Sequence, residues 1–243
     1  NFTLDSSNLE LEMSDFLSAS EIQLDSAKGE ISWSKQKGGW LVNAKKLQLS
    51  NSEITTNFDL SYLIGAPKQP DQMTLDMEFV KAKLATAHRY LPVNIDKETR
   101  QFLSKAFEAG DIQNGSLHIK GDPNQAPYPS GTLGELSLHL PFSKASFKPA
   151  PLLPKSQGVW QAFSNVSGNI DMKQSTLMID VDKASYKKVA LSNVKSQIPN
   201  LSAKNLTLLI DGSVNGDGSE ILEYLFASPV GVQQANLAKN LTL

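Results

Sequence analysis

Apolar and polar residues alternate with a period of two along most of this chain. The clearest alternating runs are residues 9–13, 21–25, 30–34, 46–50, 73–79, 117–119, 136–140, 177–181 and 206–210. Successive side chains of a β-strand point to opposite faces, so each run has one apolar and one polar face. Turn signals that contain glycine separate the runs. The pattern predicts a long twisted antiparallel β-meander of about a dozen strands or more.

Three stretches break this period and favour helices. Asp96 is placed to cap a helix over 97–109, which has one apolar face and is followed by a glycine. Ser219 is placed to cap a second helix, which Pro229 ends. A third candidate spans about 81–90. The sequence therefore predicts a mainly β fold with two or three short amphipathic helices.

A proline-rich stretch over 141–154 is the clearest candidate for a boundary. Proline lacks the N–H that a central strand needs, so this stretch is expected to be a linker or an edge crossing between possible sub-units 1–140 and 155–243. Similar blocks that begin at Gly29 and Gly168 indicate a repeated unit.

Composition narrows the function classes. The 243 residues include 23 Lys and Arg, 25 Asp and Glu, and no Cys. The absence of cysteine excludes disulfides, cysteine-based zinc sites and thiolate nucleophiles. A net charge of −2 gives no basic footprint for nucleic acid. The last residues, 239–243, still alternate like a strand, and free strand edges normally need covering. We therefore expect a segment of a larger protein.

The candidate residues for catalysis or metal binding do not form a known site. His88, His118 and His139 lack metal-binding spacing. Asp180 and Asp182 share one strand face, as expected of a solvated side. The loop 211–222 resembles a calcium-binding loop, but Leu222 stands where the bidentate glutamate is required, and we expect the loop to cap the following helix instead. We predict no catalytic residue, no metal site and no cofactor.

The apolar side of the predicted sheet needs a cover. The three helices offer only about thirty residues, too few for a long one-sided sheet. Either the sheet folds over as a sandwich or barrel, or part of its apolar face stays open as a groove, which usually marks a binding surface. A strand of five or six residues spans ~17–20 Å, which is about the length of a lipid acyl chain. The pattern alone favours the sandwich.

Several short motifs in a fixed order resemble a known family. They occupy residues 88–92, 99–103, 109–115, 117–123, 198–201, 208–212 and 222–230. Together they resemble the YhdP-type branch of the AsmA-like superfamily, which consists of large bacterial envelope proteins. The resemblance covers the chain from about residue 29 to residue 230.

The resemblance implies an open β-groove that carries phospholipid across the periplasm, between the inner and outer membranes, and supports the outer-membrane barrier. It also implies a periplasmic segment of a non-enzymatic protein that is anchored in the inner membrane. Phospholipid acyl chains would be the cargo, and other envelope proteins or neighbouring repeats of the same chain would be partners. The net charge of −2 argues against electrostatic capture of the lipid headgroups. The alternative is a structural or partner-binding β-module of the envelope without lipid.

The candidate groove residues come from three alternating runs. They are Leu75, Met77, Phe79, Leu136, Leu138, Leu140, Leu177, Ile179 and Val181. Each of them would serve equally well as core under the helices, so the pattern leaves open which of them face a ligand.

Overall fold

Eleven strands form one antiparallel sheet, in which each strand pairs with its neighbours in the sequence. The computed structural model describes residues 1–129 and 131–241. The strands are β1 Phe2–Glu12, β2 Glu21–Gln36, β3 Gly39–Ser50, β4 Ile54–Gly65, β5 Gln72–Lys83, β6 Phe107–Gly121, β7 Gly134–Phe147, β8 Phe163–Lys173, β9 Thr176–Tyr186, β10 Val189–Ile198 and β11 Leu209–Asn215. Since β1 and β11 are opposite edges of this sheet, the sheet is open.

The mainly β meander predicted from alternation is confirmed. The sandwich or barrel that the pattern alone favoured is wrong, because all the described strands belong to a single open sheet. The sheet has eleven strands rather than a dozen, since neighbouring runs such as 21–25 and 30–34 belong to one long strand, β2.

A series of β-bulges crosses the sheet. Register shifts interrupt the ladders beside residues with positive φ, such as Lys46 in β3, Asn114 in β6, Lys144 in β7 and Asn165 in β8. A bulge inserts one extra residue and increases the local twist of the strand. The spacing of apolar residues shifts by one position at each of these bulges. The extra residue of the bulge therefore keeps the apolar residues on both sides of it on the same face of the sheet.

The helices differ from the predicted ones mainly at their ends. Helix α1 (Lys97–Ala106) ends three residues early, because β6 begins at the next residue. The predicted helix over 81–90 is a 3-10 helix, Leu84–Tyr90, since β5 continues to Lys83. The predicted second helix is α2 (Gly218–Ala227).

The expectation that the last residues of the chain continue as a strand is wrong. Pro229 follows α2 closely, as predicted, but it also begins a further helix, α3 (Pro229–Leu241). Proline is favoured at the first helical position because its missing N–H is not needed there. Residues 239–241 therefore lie in α3 rather than in a strand, and 242–243 lie outside the described residues.

The first half of the proline-rich stretch is strand rather than linker. Strand β7 continues through Pro141 to Phe147, and Pro141 is in register with Asn169 of β8. On its other side, Pro141 has no partner in the register, because β6 bulges between Ile112 and Ser116. An inner strand therefore accepts the proline at this point. The division into sub-units 1–140 and 155–243 stays a prediction.

Replacing the N-cap of α1 gives a testable change in stability. The Asp96 carboxylate accepts hydrogen bonds from the Thr99 hydroxyl at 2.7 Å and the Thr99 backbone N–H at 2.8 Å. These hydrogen bonds hold the pKa of Asp96 below its usual value. Asp96→Ala is expected to lower the free energy of unfolding by about 1 kcal/mol at neutral pH. Urea unfolding of both proteins measures the difference.

The same substitution carries a pH signature. A carboxyl whose pKa is lowered on folding stabilises the protein above its unfolded pKa, and this contribution is lost as the pH falls through the lowered folded pKa. The difference between Asp96→Ala and wild type should therefore shrink in acid. Asp96→Asn, which keeps a capping oxygen, is the matched control. If Asp96→Ala lowered the free energy of unfolding equally at neutral and at acidic pH, the assignment of Asp96 as the N-cap of α1 would be contradicted.

Candidate functional site

One face of the sheet carries apolar side chains on every strand, and we call it the apolar face. Directly paired residues of antiparallel strands share a face. One row of such pairs runs across eight strands: Leu47, Phe58, Met77, Leu117, Leu138, Met172, Leu177 and Ile198. A second row contains Ile31, Ala44, Leu60, Leu75, Ile119 and Leu136. The apolar face is thus continuous across the sheet.

All nine candidate groove residues from the sequence lie on the apolar face. Leu75, Met77 and Phe79 are in β5, Leu136, Leu138 and Leu140 are in β7, and Leu177, Ile179 and Val181 are in β9. The register aligns Met77, Leu138 and Leu177 in one row. Eight of the nine are half-buried, and Leu136 is buried with 6% of its surface exposed.

A hydrophobic core covers one edge of the apolar face, which we call the helix rim. The helix rim is the set of strand ends that lead into residues 13–20, 84–106, 148–162 and 216–241. Leu84, Ile112, Phe142, Ala145 and Val166 are buried together there. Gly110, with φ +134°, lets Leu84 approach, since an added methyl would lie 2.8 Å from the Leu84 Cδ1 atom. The helix rim is therefore closed around β6–β8.

Two connections seal the helix rim at β1 and β2. The Ser18 N–H donates to the Leu91 carbonyl at 2.8 Å, and the Val93 N–H donates to the Phe16 carbonyl at 3.1 Å. These hydrogen bonds join the segment after β1 to the segment after β5. Leu9, Leu11, Ile22, Leu24, Ala27, Leu17 and Tyr90 pack together in this corner.

A polar network fixes the same corner. The Tyr90 hydroxyl donates to Glu53 Oε2 at 2.8 Å and accepts from Asn51 Nδ2 at 3.0 Å. Arg89 Nη1 lies 2.5 Å from Glu53 Oε1. Burial, more than the hydrogen bond to Glu53, raises the pKa of Tyr90 to about 12. The β3–β4 turn thereby holds the 3-10 helix against the helix rim.

Aromatic packing closes the helix rim at β8–β10. The Tyr224 ring of α2 lies 5.3 Å from Phe163, 4.9 Å from Tyr186 and 5.7 Å from Trp160, measured between ring centroids. Burial raises the pKa of Tyr224. Lys187 makes an ion pair with Glu223 at 2.5 Å, which attaches α2 to the β9–β10 turn.

The opposite edge of the apolar face, the hairpin rim, is covered only in part. It consists of the strand ends joined by residues 37–38, 66–71, 122–133, 174–175 and 199–208. Tyr128 is fully buried over the paired glycines Gly121 and Gly134, and a methyl added at Gly134 would lie 2.3 Å from its ring. Ser202 donates to the Pro127 carbonyl at 3.3 Å. These contacts cover the rim at β6 and β7 and join the loop 122–133 to the connection between β10 and β11.

The hairpin rim carries large exposed side chains at β2–β4. Trp33 is 60% exposed, Trp40 49% and Ile64 46%. Trp33 pairs with Val42, and Trp40 pairs with Lys35 and Ile64. Because these residues continue the alternation of the apolar face, the apolar surface reaches solvent there.

The other face of the sheet is polar. His118 Nδ1 lies 2.6 Å from Asp76 Oδ1, and His139 Nδ1 lies 2.6 Å from Asp171 Oδ1. Both pairs join neighbouring strands. Within residues 1–129 and 131–241, no three histidine or acidic side chains are grouped as a metal ion would require.

The remaining candidates for chemistry have ordinary structural positions. Asp180 and Asp182 are exposed on β9. The calcium-like stretch is divided between β11 and α2, where the Asp217 carboxylate accepts the Ser219 backbone N–H at 2.8 Å. The sequence predicted this capping role for Asp217, whereas the prediction that Ser219 is a cap is wrong, because Ser219 lies inside α2 and donates to Asp217. The Ser219 hydroxyl, which donates to the same carboxylate at 2.6 Å, and the Ser219 N–H together lower the pKa of Asp217.

Sequence reasoning missed the loops that cover the apolar face. Residues 13–20 and 122–133 have no periodic pattern, so their packing was not predicted. The sequence signal for the second loop was its three prolines, Pro123, Pro127 and Pro129, close to the large residue Tyr128. None of the described helices combines the length and the apolar character needed to cross a membrane.

Comparison with known proteins gives a consistent result. The chain is 24% identical over 215 residues to the intermembrane phospholipid transporter YhdP of Escherichia coli (strain K12), a match that covers 86% of this chain and 16% of that protein. The chain therefore spans about a sixth of the length of this relative. No solved structure matches the chain significantly. The family model described as YhdP protein matches residues 1–242. The chain thus belongs to the YhdP protein family.

Proposed function

We propose that this chain holds phospholipid acyl chains on its apolar face, as one segment of a non-enzymatic path for phospholipid between the inner and outer membranes. The observation that carries the proposal is the continuity of the apolar face, which has apolar side chains in register across the strands. The name of the Escherichia coli relative, an intermembrane phospholipid transporter, supports the same cargo.

The dimensions of the apolar face suit an acyl chain. From Met73 to Phe79, β5 places four alternate residues on this face over about 20 Å, at ~3.4 Å per residue. Half of the ~30 Å hydrocarbon core of a bilayer, which is one layer of acyl chains, measures about 15 Å. An acyl chain therefore fits along the strands between the helix rim and the hairpin rim.

The energetics fit passive movement. Each CH₂ group that leaves water contributes ~0.8 kcal/mol, whatever the headgroup. Rows of similar apolar side chains across the sheet offer successive positions of similar energy. An acyl chain could pass from one strand to the next without a chemical step or a cofactor.

Several further parts of the proposal concern the whole protein. They are a periplasmic position for this segment, an inner-membrane anchor elsewhere in the protein, and a role in the outer-membrane barrier. Other envelope proteins or neighbouring repeats of the same chain would contact the segment.

A charge placed on the apolar face tests the proposal. Phospholipid is expected to co-purify with the wild-type chain from bacterial membranes and to be visible by native mass spectrometry. Leu138→Glu should reduce the bound phospholipid by about tenfold or more, because a carboxylate among acyl chains loses its hydration. Leu138 is half-buried in the first row of the apolar face, between Leu117 and Met172.

The matched control is the neighbouring residue. Ser137→Glu introduces the same charge on the opposite face of β7, where Ser137 is in register with His118 and Lys173. It should retain the lipid. Circular dichroism melts check that both variants fold, and Leu138→Ser replaces Leu138→Glu if the latter does not. A wild-type chain without lipid, or equal lipid in both glutamate variants, would refute the proposal.

One observation favours the structural alternative, a module that binds protein partners. All seven residues of the edge strand β11 are exposed, and an unpaired strand edge is a template for another strand. The variant Ser213→Pro places a proline in β11 and should weaken the pairing of this edge with a strand of another protein. Loss of partner binding with full retention of lipid would separate this role from transport.

A further inference from the structure

The two rims of the apolar face differ in a way that orients a bound lipid. We propose that the phosphate headgroup of a bound phospholipid lies at the hairpin rim over β2–β4, beside Trp33, Trp40 and Lys35, with the acyl chains directed along the strands toward the helix rim. This inference rests on the proposed function.

The buried core of the helix rim offers no place for a phosphate group, and two cations at this rim, Arg89 and Lys187, are already paired with Glu53 and Glu223. The core consists of buried aliphatic and aromatic residues, including Leu84, Ile112 and Phe142. Hydrogen bonds between the segments that follow β1 and β5 close the β1–β2 corner. A phosphate group inserted into this core would lose its hydration without gaining a partner, which is strongly unfavourable. The methyl ends of acyl chains have no such cost.

The hairpin rim is open where its chemistry suits a headgroup. Tyr128 and the loop that carries it cover the rim at β6 and β7. Trp33 and Trp40, by contrast, are about half exposed on β2 and β3. Tryptophan has an apolar ring and one N–H donor, and it is enriched where hydrocarbon meets water.

Positive charge accompanies these tryptophans. Lys35 pairs with Trp40 across the β2–β3 ladder, Lys37 is in the turn of this hairpin, and Lys68 is in the β4–β5 turn. In the described part of the chain, none of the three lysines has a carboxylate within 4.0 Å.

Asp71, the acidic residue of the β4–β5 turn, has other hydrogen-bond partners. The Asp71 carboxylate accepts the Tyr62 hydroxyl at 2.6 Å and the Gly65 N–H at 2.8 Å. Lys35, Lys37 and Lys68 outnumber Asp71, so the local charge of these turns is positive and complements an anionic phosphate. This local charge differs from the near-zero net charge of the whole chain, which argued against capture of headgroups.

The tryptophans of the chain allow a direct test. The chain has three tryptophans, of which Trp33 and Trp40 lie at the hairpin rim and Trp160 at the helix rim. Trp160→Phe leaves only the hairpin-rim reporters, and Trp33→Phe with Trp40→Phe leaves only the helix-rim reporter. Each protein is loaded with phosphatidylglycerol that is brominated either beside the glycerol ester or near the methyl end. Its tryptophan fluorescence is measured before and after gel filtration removes the vesicles.

The expected result is an asymmetry. In Trp160→Phe, bromine beside the ester should quench fluorescence at least about twofold more than bromine near the methyl end, because bromine quenches only at short range. In the double variant, bromine beside the ester should not be the stronger quencher. Equal quenching by both lipids in Trp160→Phe, or the reverse order, would overturn the orientation. Quenching that disappears when vesicles are removed would indicate contact with a membrane surface and would also overturn it.

The lysines are tested separately. Replacing Lys35, Lys37 and Lys68 with Gln should weaken phosphatidylglycerol binding by about fivefold at low salt, and much less at high salt. Unchanged affinity would count against the site. Inorganic phosphate added to the lipid-free protein distinguishes a lipid site from a general anion site. If phosphate alone changes Trp33 and Trp40 fluorescence as strongly as lipid does, the inference fails.

These outcomes separate the inference from the proposed function. If no phospholipid binds to the wild-type chain, the proposed function fails. If phospholipid binds and Leu138→Glu removes it, but the quenching asymmetry is missing, only the orientation fails.

Discussion

Phe142→Ala is expected to lower the free energy of unfolding by about 3–5 kcal/mol. Phe142 is 7% exposed and packs at the helix rim with Leu84, Ile112 and Ala145. Loss of its ring leaves a cavity between β6, β7 and the 3-10 helix. This cluster also holds the segment after β5 on the sheet, so the substitution should loosen that cover as well.

Urea unfolding followed by circular dichroism measures the effect. Phe226→Ala is the control, because Phe226 is 66% exposed on α2. That variant should lose less than about 0.5 kcal/mol, as is usual for an exposed position. Similar losses in both variants would mean that the helix rim does not have the packing described.

Gly168→Ala is expected to cost about 2–3 kcal/mol, although it adds only one methyl group. Gly168 is buried in β8, and an added Cβ would lie 1.9 Å from the Asp180 carbonyl oxygen of β9. That atom belongs to the backbone, so the β8–β9 ladder must move apart to accept the methyl. Thermal unfolding of the two proteins would show the loss as a lower melting temperature.

Gly218→Ala is the matched control for this change. Gly218 is the first residue of α2, and an added Cβ there has no neighbour within 4 Å. Alanine reduces the freedom of the unfolded chain, so stability should stay equal or rise by about 0.5 kcal/mol. If Gly168→Ala were as stable as Gly218→Ala, the close approach of β8 and β9 would be wrong.

The face of each candidate residue was predictable, because the period of two is a local property of strands. Leu136, Leu138 and Leu140 must share a face wherever β7 lies in the sheet. The bulges were not predictable: Lys46 and Asn114 adopt positive φ values that no alternating pattern reveals. The linker predicted at Pro141 was wrong for the same reason. An inner strand accepts a proline only opposite such a bulge, and the bulge in β6 was not visible in the sequence pattern.

Access to the apolar face depends on contacts between distant parts of the chain. Leu136 is buried, whereas Leu138 is half-buried, although the sequence treats them alike. Leu136 lies two positions after Gly134, over which Tyr128 packs. The burial of such a position depends on how the loop 122–133 folds, and hydrophobic periodicity carries no information about that.

The sequential order of the strands has a consequence for how the protein folds. Each described strand is hydrogen-bonded only to the strands before and after it, so the sheet approaches a one-dimensional array of neighbouring interfaces. In such arrays, stability is close to a sum of local terms, and cooperativity weakens with length. Pairing between successive hairpins also keeps contacts local in sequence, which favours fast folding. Amide hydrogen exchange should accordingly be graded, being fastest in the exposed edge strand β11 and slowest in β6 to β8, where the core at the helix rim is buried.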